Sequence, residues 1–161
     1  MKLSYLKGFA FGLTSGIITT LGMMVGLHSG THSKLAVVGG IITIAIADAF
    51  SDALGIHISE ESQKNRTTKE IWESTIATFL AKFFFAFTFL VPILLAELTN
   101  AIWISIAWGL SVLFGISYWM AIDQRKKPFH VIREHVGIAV IVIFITHFVG
   151  DWVAATFGSI G

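Results

Sequence analysis

The sequence predicts an all-α polytopic membrane protein with five transmembrane helices, with its N-terminus in the cytoplasm and its C-terminus outside. Composition is the first reason. Hydrophobic residues make up 55% of the 161 residues and charged residues only 13%, whereas an ordinary soluble domain contains about 25% charged residues. Mean hydropathy is +0.78, which argues against a disordered chain and against a water-soluble enzyme. Because the net charge is only +1, we expect no nucleic acid as a partner.

The second reason is the arrangement of the apolar stretches. A transmembrane helix needs about 20 mostly apolar residues, and the sequence contains five such stretches with short connections between them. They cover residues 8–27, 35–57, 75–96, 101–122 and 136–157. We therefore predict one membrane domain over residues 1–161 that lies in the lipid bilayer, with a short cytoplasmic linker at 58–74.

The spans differ in their ionisable residues. The first and the fourth contain no Asp, Glu, Lys or Arg. The second contains Asp48 and Asp52, the third contains Lys82, and the fifth contains His147 and Asp151. Because ionisable side chains are costly in hydrocarbon, these five residues are the first candidates for a function.

The third reason is the distribution of Lys and Arg, which orients the helices by the positive-inside rule. Lys34 lies in the first connection and Lys82 within the third span. The other nine cations lie in the N-terminus and in the second and fourth connections: Lys2, Lys7, Lys64, Arg66, Lys69, Arg125, Lys126, Lys127 and Arg133. This excess on one side predicts that the N-terminus and these two connections face the cytoplasm.

Small residues mark one face of the first span. Gly8, Gly12 and Gly16 are four residues apart, and small residues at this spacing form a smooth face that lets two helix backbones approach closely. Packing against another helix of the same chain and a symmetric contact between two subunits both fit this pattern.

The strongest functional signal is the pair Asp48 and Asp52, which are four residues apart and therefore share one face of the second helix. A carboxylate at the centre of the bilayer costs at least ~2.5–3.5 kcal/mol on insertion scales. Counted from the cytoplasmic boundary, Lys82 lies at about the same depth in the third helix. The two carboxylates therefore serve either as a cation or proton site or as structural ion-pair partners of Lys82, and one lysine leaves one carboxylate available.

A polar stripe on the first helix could complete a metal site. Ser15, Thr19 and Met23 are also four residues apart, and Ser15 should lie at a depth between those of Asp52 and Asp48. Oxygen ligands suit hard and borderline cations, and a thioether favours a transition metal. The alternative is that the two hydroxyls bond to their own helix and that Met23 fills a gap in the packing.

Other candidates are weaker. His147 and Asp151 are four residues apart on the fifth helix and are either a proton relay, metal ligands or an interhelical hydrogen-bonding pair. Glu60 and Glu61 follow the second helix and are candidates to line an inner vestibule. His28 and His32 lie near the first outer loop, where a solvated loop is the favoured interpretation.

Two stretches resemble the vacuolar iron transporter family, which includes yeast-type iron and manganese importers of the vacuole. Residues 12–27, GLTSGIITTLGMMVGL, resemble its first helix, in which a Ser-Asp-Gly-hydrophobic-Thr element precedes a small-residue stretch that ends in Ala-Gly-Leu. Residues 47–60, ADAFSDALGIHISE, resemble its second helix, with Ser51 and Gly55 in matching positions. A proline near the outer end of the third helix, here Pro92, is also a family feature.

The chain departs from the family pattern at the site. The family's acidic residue in the first helix falls on Ser15, its pore methionine falls on Asp52, and its upstream glutamate falls on Ile44. Its glutamate-rich cytoplasmic metal-binding domain is reduced to the linker at 58–74. The resemblance therefore identifies a short, divergent relative whose carboxylates have moved from the first helix to the second.

The resemblance implies a homodimer with a pore between the first two helices of each subunit, which transports Fe²⁺ or Mn²⁺ and binds no permanent cofactor. Symmetry would place two copies each of Asp48, Asp52 and Ser15 around one axis. Four neighbouring carboxylates cannot all be ionised without a cation. Cation entry would therefore displace protons, which is a physical route to proton-coupled transport.

Two alternatives come from other classes of protein. The spacing of Asp48 and Asp52 matches the end of the motif of membrane CDP-alcohol phosphotransferases, but the first half of that motif is missing and no Arg precedes Arg66. The other alternative is a scaffold without transport, in which an Asp48–Lys82 pair only fixes helix register. We favour a transporter over an enzyme, and the sequence has no organellar targeting segment, so we expect a prokaryotic cytoplasmic membrane.

The predicted orientation has a direct test, because the chain contains no natural cysteine. A single cysteine at Ser33 should react with a membrane-impermeant thiol reagent added to intact cells, and a single cysteine at Asn65 should react only after the cells are opened. Labelling in the reverse pattern would invert the orientation.

Overall fold

The computed structural model describes residues 3–158, which form six helices and contain no strand. The helices are α1 (Leu3–Thr31), α2 (Lys34–Glu61), α3 (Thr68–Thr88), α4 (Leu90–Leu95), α5 (Leu98–Asp123) and α6 (Pro128–Phe157). Within the described residues, α1, α2, α3 with α4, α5 and α6 are each long and apolar enough to cross a membrane. The predicted all-α fold with five transmembrane helices is therefore confirmed. Lys2, which the orientation argument used, lies outside the described residues.

The third span is the one that is interrupted, between α3 and α4. Pro92 is the third residue of α4 and has no backbone N–H to donate to the carbonyl of Thr88, four residues earlier. The chain tightens at this point, where the N–H of Phe89 donates to the carbonyl of Ala86 at 3.2 Å. The break thus has a local cause, and α3 and α4 together form one span over Thr68–Leu95.

The predicted linker at 58–74 is mostly helical. At the end of the bundle that the predicted orientation places in the cytoplasm, called the inner end below, α2 continues to Glu61 and α3 begins at Thr68. A capping box starts α3, because the Thr67 hydroxyl accepts from the N–H of Glu70 at 3.3 Å and the Glu70 carboxylate accepts from the N–H of Thr67 at 3.0 Å. Only residues 62–67 separate the two helices.

Helix α1 is the centre of the bundle and packs against α2, α3, α5 and α6. Small side chains on α1 alternate with large ones that enter the core, such as Ile17, Leu21 and Met24, each at most 1% exposed. The core also includes Phe89 and Ile93 from the third span. The central position of α1 fixes the relative depth of the polar residues on every neighbouring helix.

The small-residue face of α1 packs against α3 of the same chain. A methyl group on Gly8 would collide with the backbone of Ser74, and one on Gly12 would collide with the backbone of Thr78. The Thr78 hydroxyl donates to the carbonyl of Gly8 at 3.0 Å. The sequence left open whether this face packs within the chain or between subunits, and the contact is within the chain.

A second small-residue contact joins the outer half of α1 to α6. A methyl group on Gly26 would lie 3.3 Å from the carbonyl oxygen of Thr146, and one on Gly30 would lie 3.3 Å from that of Gly150. Glycines on α1 therefore permit close approach on two sides of the helix.

We predict that Gly12→Ala destabilises the folded subunit. The added methyl group would overlap the α3 backbone, which has no flexible end that can move aside, and overpacking of this kind typically costs about 1–3 kcal/mol. The readout is the thermal unfolding midpoint in mild detergent.

The matched control is Gly115→Ala on α5, where an added methyl group meets nothing within 4 Å. This change should be neutral or stabilising, because alanine is favoured over glycine in a helix by about 1 kcal/mol. Equal thermal unfolding midpoints for Gly12→Ala and Gly115→Ala would contradict a close contact between the α1 and α3 backbones.

Candidate functional site

Three helices meet at a buried ion cluster, which consists of Ser15 on α1, Asp48 and Asp52 on α2, and Lys82 on α3. The Lys82 ammonium lies 2.5 Å from one oxygen, Oδ2, of each aspartate. It also donates to the Ser15 hydroxyl at 3.0 Å, and that hydroxyl donates to Asp52 Oδ2 at 2.6 Å. The Lys82 side chain is 1% exposed.

The glycine face of α1 makes this position of Lys82 possible. A methyl group on Gly16 would lie 3.2 Å from Cγ and 3.3 Å from Cα of Lys82, so the stem of the lysine lies directly over Gly16. From there the ammonium reaches past α1 to the aspartates on α2. The stem is thereby packed against α1, while the charge is placed where two carboxylates can neutralise it.

The two aspartates are not equivalent. Asp52 accepts hydrogen bonds from both Ser15 and Lys82. Asp48 pairs with Lys82 at the same distance but, among the described residues, has no additional hydroxyl donor of the kind that Ser15 offers Asp52. Asp48 is also the more exposed, with 28% of its side chain accessible against 19% for Asp52. Asp48 is therefore the carboxylate whose bonding capacity is less fully used.

Within the described residues, the other two stripe residues have no hydrogen bond to the side chains of this cluster. The Thr19 hydroxyl donates to the carbonyl of Ser15 in its own helix at 2.9 Å. Met23 packs against α2 near Gly40, where its sulfur would collide with an added methyl group. Gly40 precedes Asp48 by two helical turns, which is about 12 Å along the axis. Of the three stripe residues, only Ser15 contacts the aspartates.

The predicted inner vestibule residues have different surroundings. Glu60 is fully buried and pairs with Lys7 on α1 and with Arg66 Nε, the latter at 3.1 Å. Glu61 is exposed. A cavity of about 640 Å³ at the inner end extends from Lys7 and Arg66 to Thr14, and neither glutamate is among its lining residues. Glu60 thus joins α1 to α2 in a buried ion pair, next to the two cations that line this cavity.

The predicted pair on the last helix forms a polar contact at the outer end. His147 Nε2 lies 3.5 Å from Asp151, and both side chains are about half exposed. The other ring nitrogen of His147 hydrogen-bonds to Ser29 on α1. The His28 and His32 rings lie edge to face with centroids 5.5 Å apart. The bond between His147 and Ser29 joins α1 to α6, which corresponds to one of the three alternatives that the sequence left open for His147.

Within residues 3–158, no group of three or more His, Asp or Glu side chains lies close enough to hold a metal ion together. One subunit offers two carboxylates and one hydroxyl at the ion cluster. Fe²⁺ and Mn²⁺ take more ligands than this, so a site for either ion here would need further oxygen atoms from water or from a second subunit.

One surface beside the cluster was missed in the sequence. Small residues recur every four positions along α2 and are all exposed: Gly39, Thr43, Ala47, Ser51, Gly55 and Ser59. We call this surface the α2 small-residue stripe. Added methyl groups at Gly39 and Gly55 meet nothing within 4 Å in the subunit. The four-residue spacing of these small residues, like that of the glycines on α1, is visible in the sequence and could have revealed the stripe.

The stripe lies between the aspartates and a row of large apolar side chains. That row consists of Ile42, Ile46, Phe50, Leu54 and Ile58, which are 38–62% exposed. Large apolar side chains suit contact with lipid, whereas small ones suit close contact between helices. Helix α2 therefore presents two exposed faces of different character.

No protein-family model matches this chain, and no curated protein shows significant similarity to it. The fold and the composition define an integral membrane protein of five transmembrane helices. The resemblance to vacuolar iron transporters stays a hypothesis.

Proposed function

We propose that the protein is a homodimeric transporter of a divalent transition-metal cation, Fe²⁺ or Mn²⁺, in a prokaryotic cytoplasmic membrane, and that it is not an enzyme. The observation that carries this proposal is the charge imbalance of the ion cluster. Two carboxylates, Asp48 and Asp52, share a single ammonium, that of Lys82. With all three groups ionised, the cluster has a net charge of −1.

The imbalance is costly inside a membrane and therefore calls for a partner. Two copies of the cluster, each with a net charge of −1, would together have a charge of −2, which one divalent cation balances. The unequal bonding of the aspartates supports separate roles for them. Asp52 faces the cation and also holds Lys82 and Ser15 in place, and Asp48 is the carboxylate that is more available to bind the cation.

The α2 small-residue stripe supports the homodimer. It is exposed and lies beside Asp48 and Asp52, so a second subunit docked on it would bring the two clusters towards one two-fold axis. Small residues at four-residue spacing permit the close backbone approach that such a contact needs. The pore would then lie along the first two helices of each subunit, as the resemblance to vacuolar iron transporters implies.

Exchange for protons follows from the same electrostatics. Protons and an entering cation would compete for the same carboxylate oxygens, so cation entry would release any protons bound there. The choice of Fe²⁺ or Mn²⁺ rests on the resemblance, since Met23 does not contact the aspartates.

One observation favours the scaffold as a second candidate. The Lys82 ammonium contacts Ser15, Asp48 and Asp52, so its three N–H groups all have oxygen atoms nearby. A cluster of this kind can fix the register of three helices without any transport. The two candidates differ in what they require of Asp48.

We predict that Asp48→Asn folds normally and abolishes Mn²⁺ uptake into proteoliposomes. The substitution keeps the shape of the side chain but removes its charge, and Lys82 retains Asp52 and Ser15 as partners. Asp123→Asn, at the exposed inner end of α5, is the matched control and should transport like the parent.

Asp52→Asn separates transport from structure. It should lower stability as well as uptake, because it removes the acceptor of both Ser15 and Lys82 and leaves the lysine with fewer partners. Adding Lys82→Met should restore the stability. Normal uptake by both single aspartate variants, or no uptake by the parent, would refute the metal-transport proposal.

We predict that Ala47→Trp shifts the protein from dimer to monomer in mild detergent. A large ring on the α2 small-residue stripe would hold the two helix backbones apart. Ile46→Trp is the matched control, because it changes the adjacent residue in the row of large apolar side chains. If both variants give the dimer fraction of the parent, the subunits do not meet on this stripe.

A further inference from the structure

The position of Lys82 raises a question about affinity that the proposed transport site does not answer. Its ammonium lies 2.5 Å from Asp48 Oδ2 and from Asp52 Oδ2. A cation bound by both carboxylates would use the same oxygen atoms as ligands. A bound metal ion would therefore lie close to a fixed positive charge. That charge opposes binding, because like charges repel strongly in a medium of low dielectric constant.

We propose that Lys82 sets the affinity of the cation site by competing, as a tethered cation, for the oxygen atoms of Asp48 and Asp52. This inference rests on the proposed function. A transport site must bind its ion strongly enough to admit it and weakly enough to release it. Lys82 weakens the binding of the cation, because its ammonium returns to the carboxylates when the metal ion leaves.

The structure gives the ammonium an alternative partner during the exchange. The Ser15 hydroxyl lies 3.0 Å from Lys82 Nζ and is neutral, so it can hold the ammonium when a metal ion takes over the carboxylates. The stem over Gly16 is unbranched and has several rotatable bonds. A small movement of its end is enough to exchange one cation for the other.

Burial places the two cations on different sides of the carboxylates. Lys82 is 1% exposed, whereas Asp48 is 28% and Asp52 19% exposed. The lysine thus approaches from inside the subunit, and an external cation approaches from the exposed side of α2. Neither cation has to leave the site for the other to approach.

The test compares Mn²⁺ binding by the purified full-length protein and its Lys82→Met variant, measured by isothermal titration calorimetry. We expect the dissociation constant to fall at least tenfold in the variant, and the maximal rate of Mn²⁺ uptake to fall as well, because release becomes slow. Lys34→Met is the matched control. Its ammonium bonds to the carbonyl of Ala96 at 3.0 Å, outside the cluster, so binding should not change. Equal or weaker binding by Lys82→Met would overturn the inference.

A second pair of variants keeps the test valid if Lys82→Met alone does not fold. The double variant Lys82→Met, Asp52→Asn contains neither an unpaired lysine nor two facing carboxylates, and it is compared with Asp52→Asn alone. Both retain Asp48 as the only carboxylate of the cluster and differ only at Lys82. Tighter Mn²⁺ binding by the double variant supports the competition, and equal binding overturns it.

The two levels of the argument fail in different ways. If the parent transports Mn²⁺ and the lysine variants bind it no more tightly, only the role of Lys82 is wrong. If neither the parent nor any lysine variant binds or transports Mn²⁺, the metal-transport proposal is wrong and this inference falls with it. If Mn²⁺ binds only after Lys82 is removed, the competition is supported. The parent protein would then bind no Mn²⁺ and would serve as a scaffold.

Discussion

The close contact between the backbones of α1 and α3 is the constraint on which the other features of the structure depend. Gly8, Gly12 and Gly16 let α3 lie directly on α1. Lys82 is one turn beyond Thr78 on the same face of α3, so the contact that seats Thr78 on α1 also places the lysine stem over Gly16. A side chain at Gly16 would push that stem away and separate the ammonium from Ser15 and Asp52. The packing of small residues thus determines the electrostatics of the bundle.

Much of this arrangement could be predicted from the sequence. Hydropathy alone defined the five spans, because a helix that crosses a membrane has to satisfy a simple length rule. The depth of Lys82, counted in residues, correctly placed it level with Asp48 and Asp52. Residue counting gives depth along a helix but not rotation around it. It therefore could not decide whether the lysine pairs with one aspartate or with both.

The parts that the sequence left open or missed depend on rotation and on competition between partners. For Thr19 and Met23 the sequence left open a metal site and ordinary packing. Thr19 bonds to its own helix, as threonine commonly does, and Met23 packs near Gly40. The exposure of the α2 small-residue stripe and the burial of Glu60 between two cations also depend on which helix lies beside which. The spacing of the stripe is visible in the sequence, but a single sequence contains no direct information about those neighbours.

Two ionic clusters join α1 to α2 or to the residues that follow α2. The two clusters differ in charge and in exposure, and these differences support separate roles. At the inner end, one carboxylate, that of Glu60, has two cations, Lys7 and Arg66, and is fully buried. Each of its two oxygen atoms faces a cation, and Arg66 also lies 4.0 Å from Glu70, which is the pattern of a structural tie. Deeper in the bundle, two carboxylates share the ammonium of Lys82 and remain partly exposed. Packing in the subunit encloses the carboxylate of the first cluster and leaves the two carboxylates of the second partly exposed. That difference is why the transport proposal rests on the deeper cluster and not on Glu60.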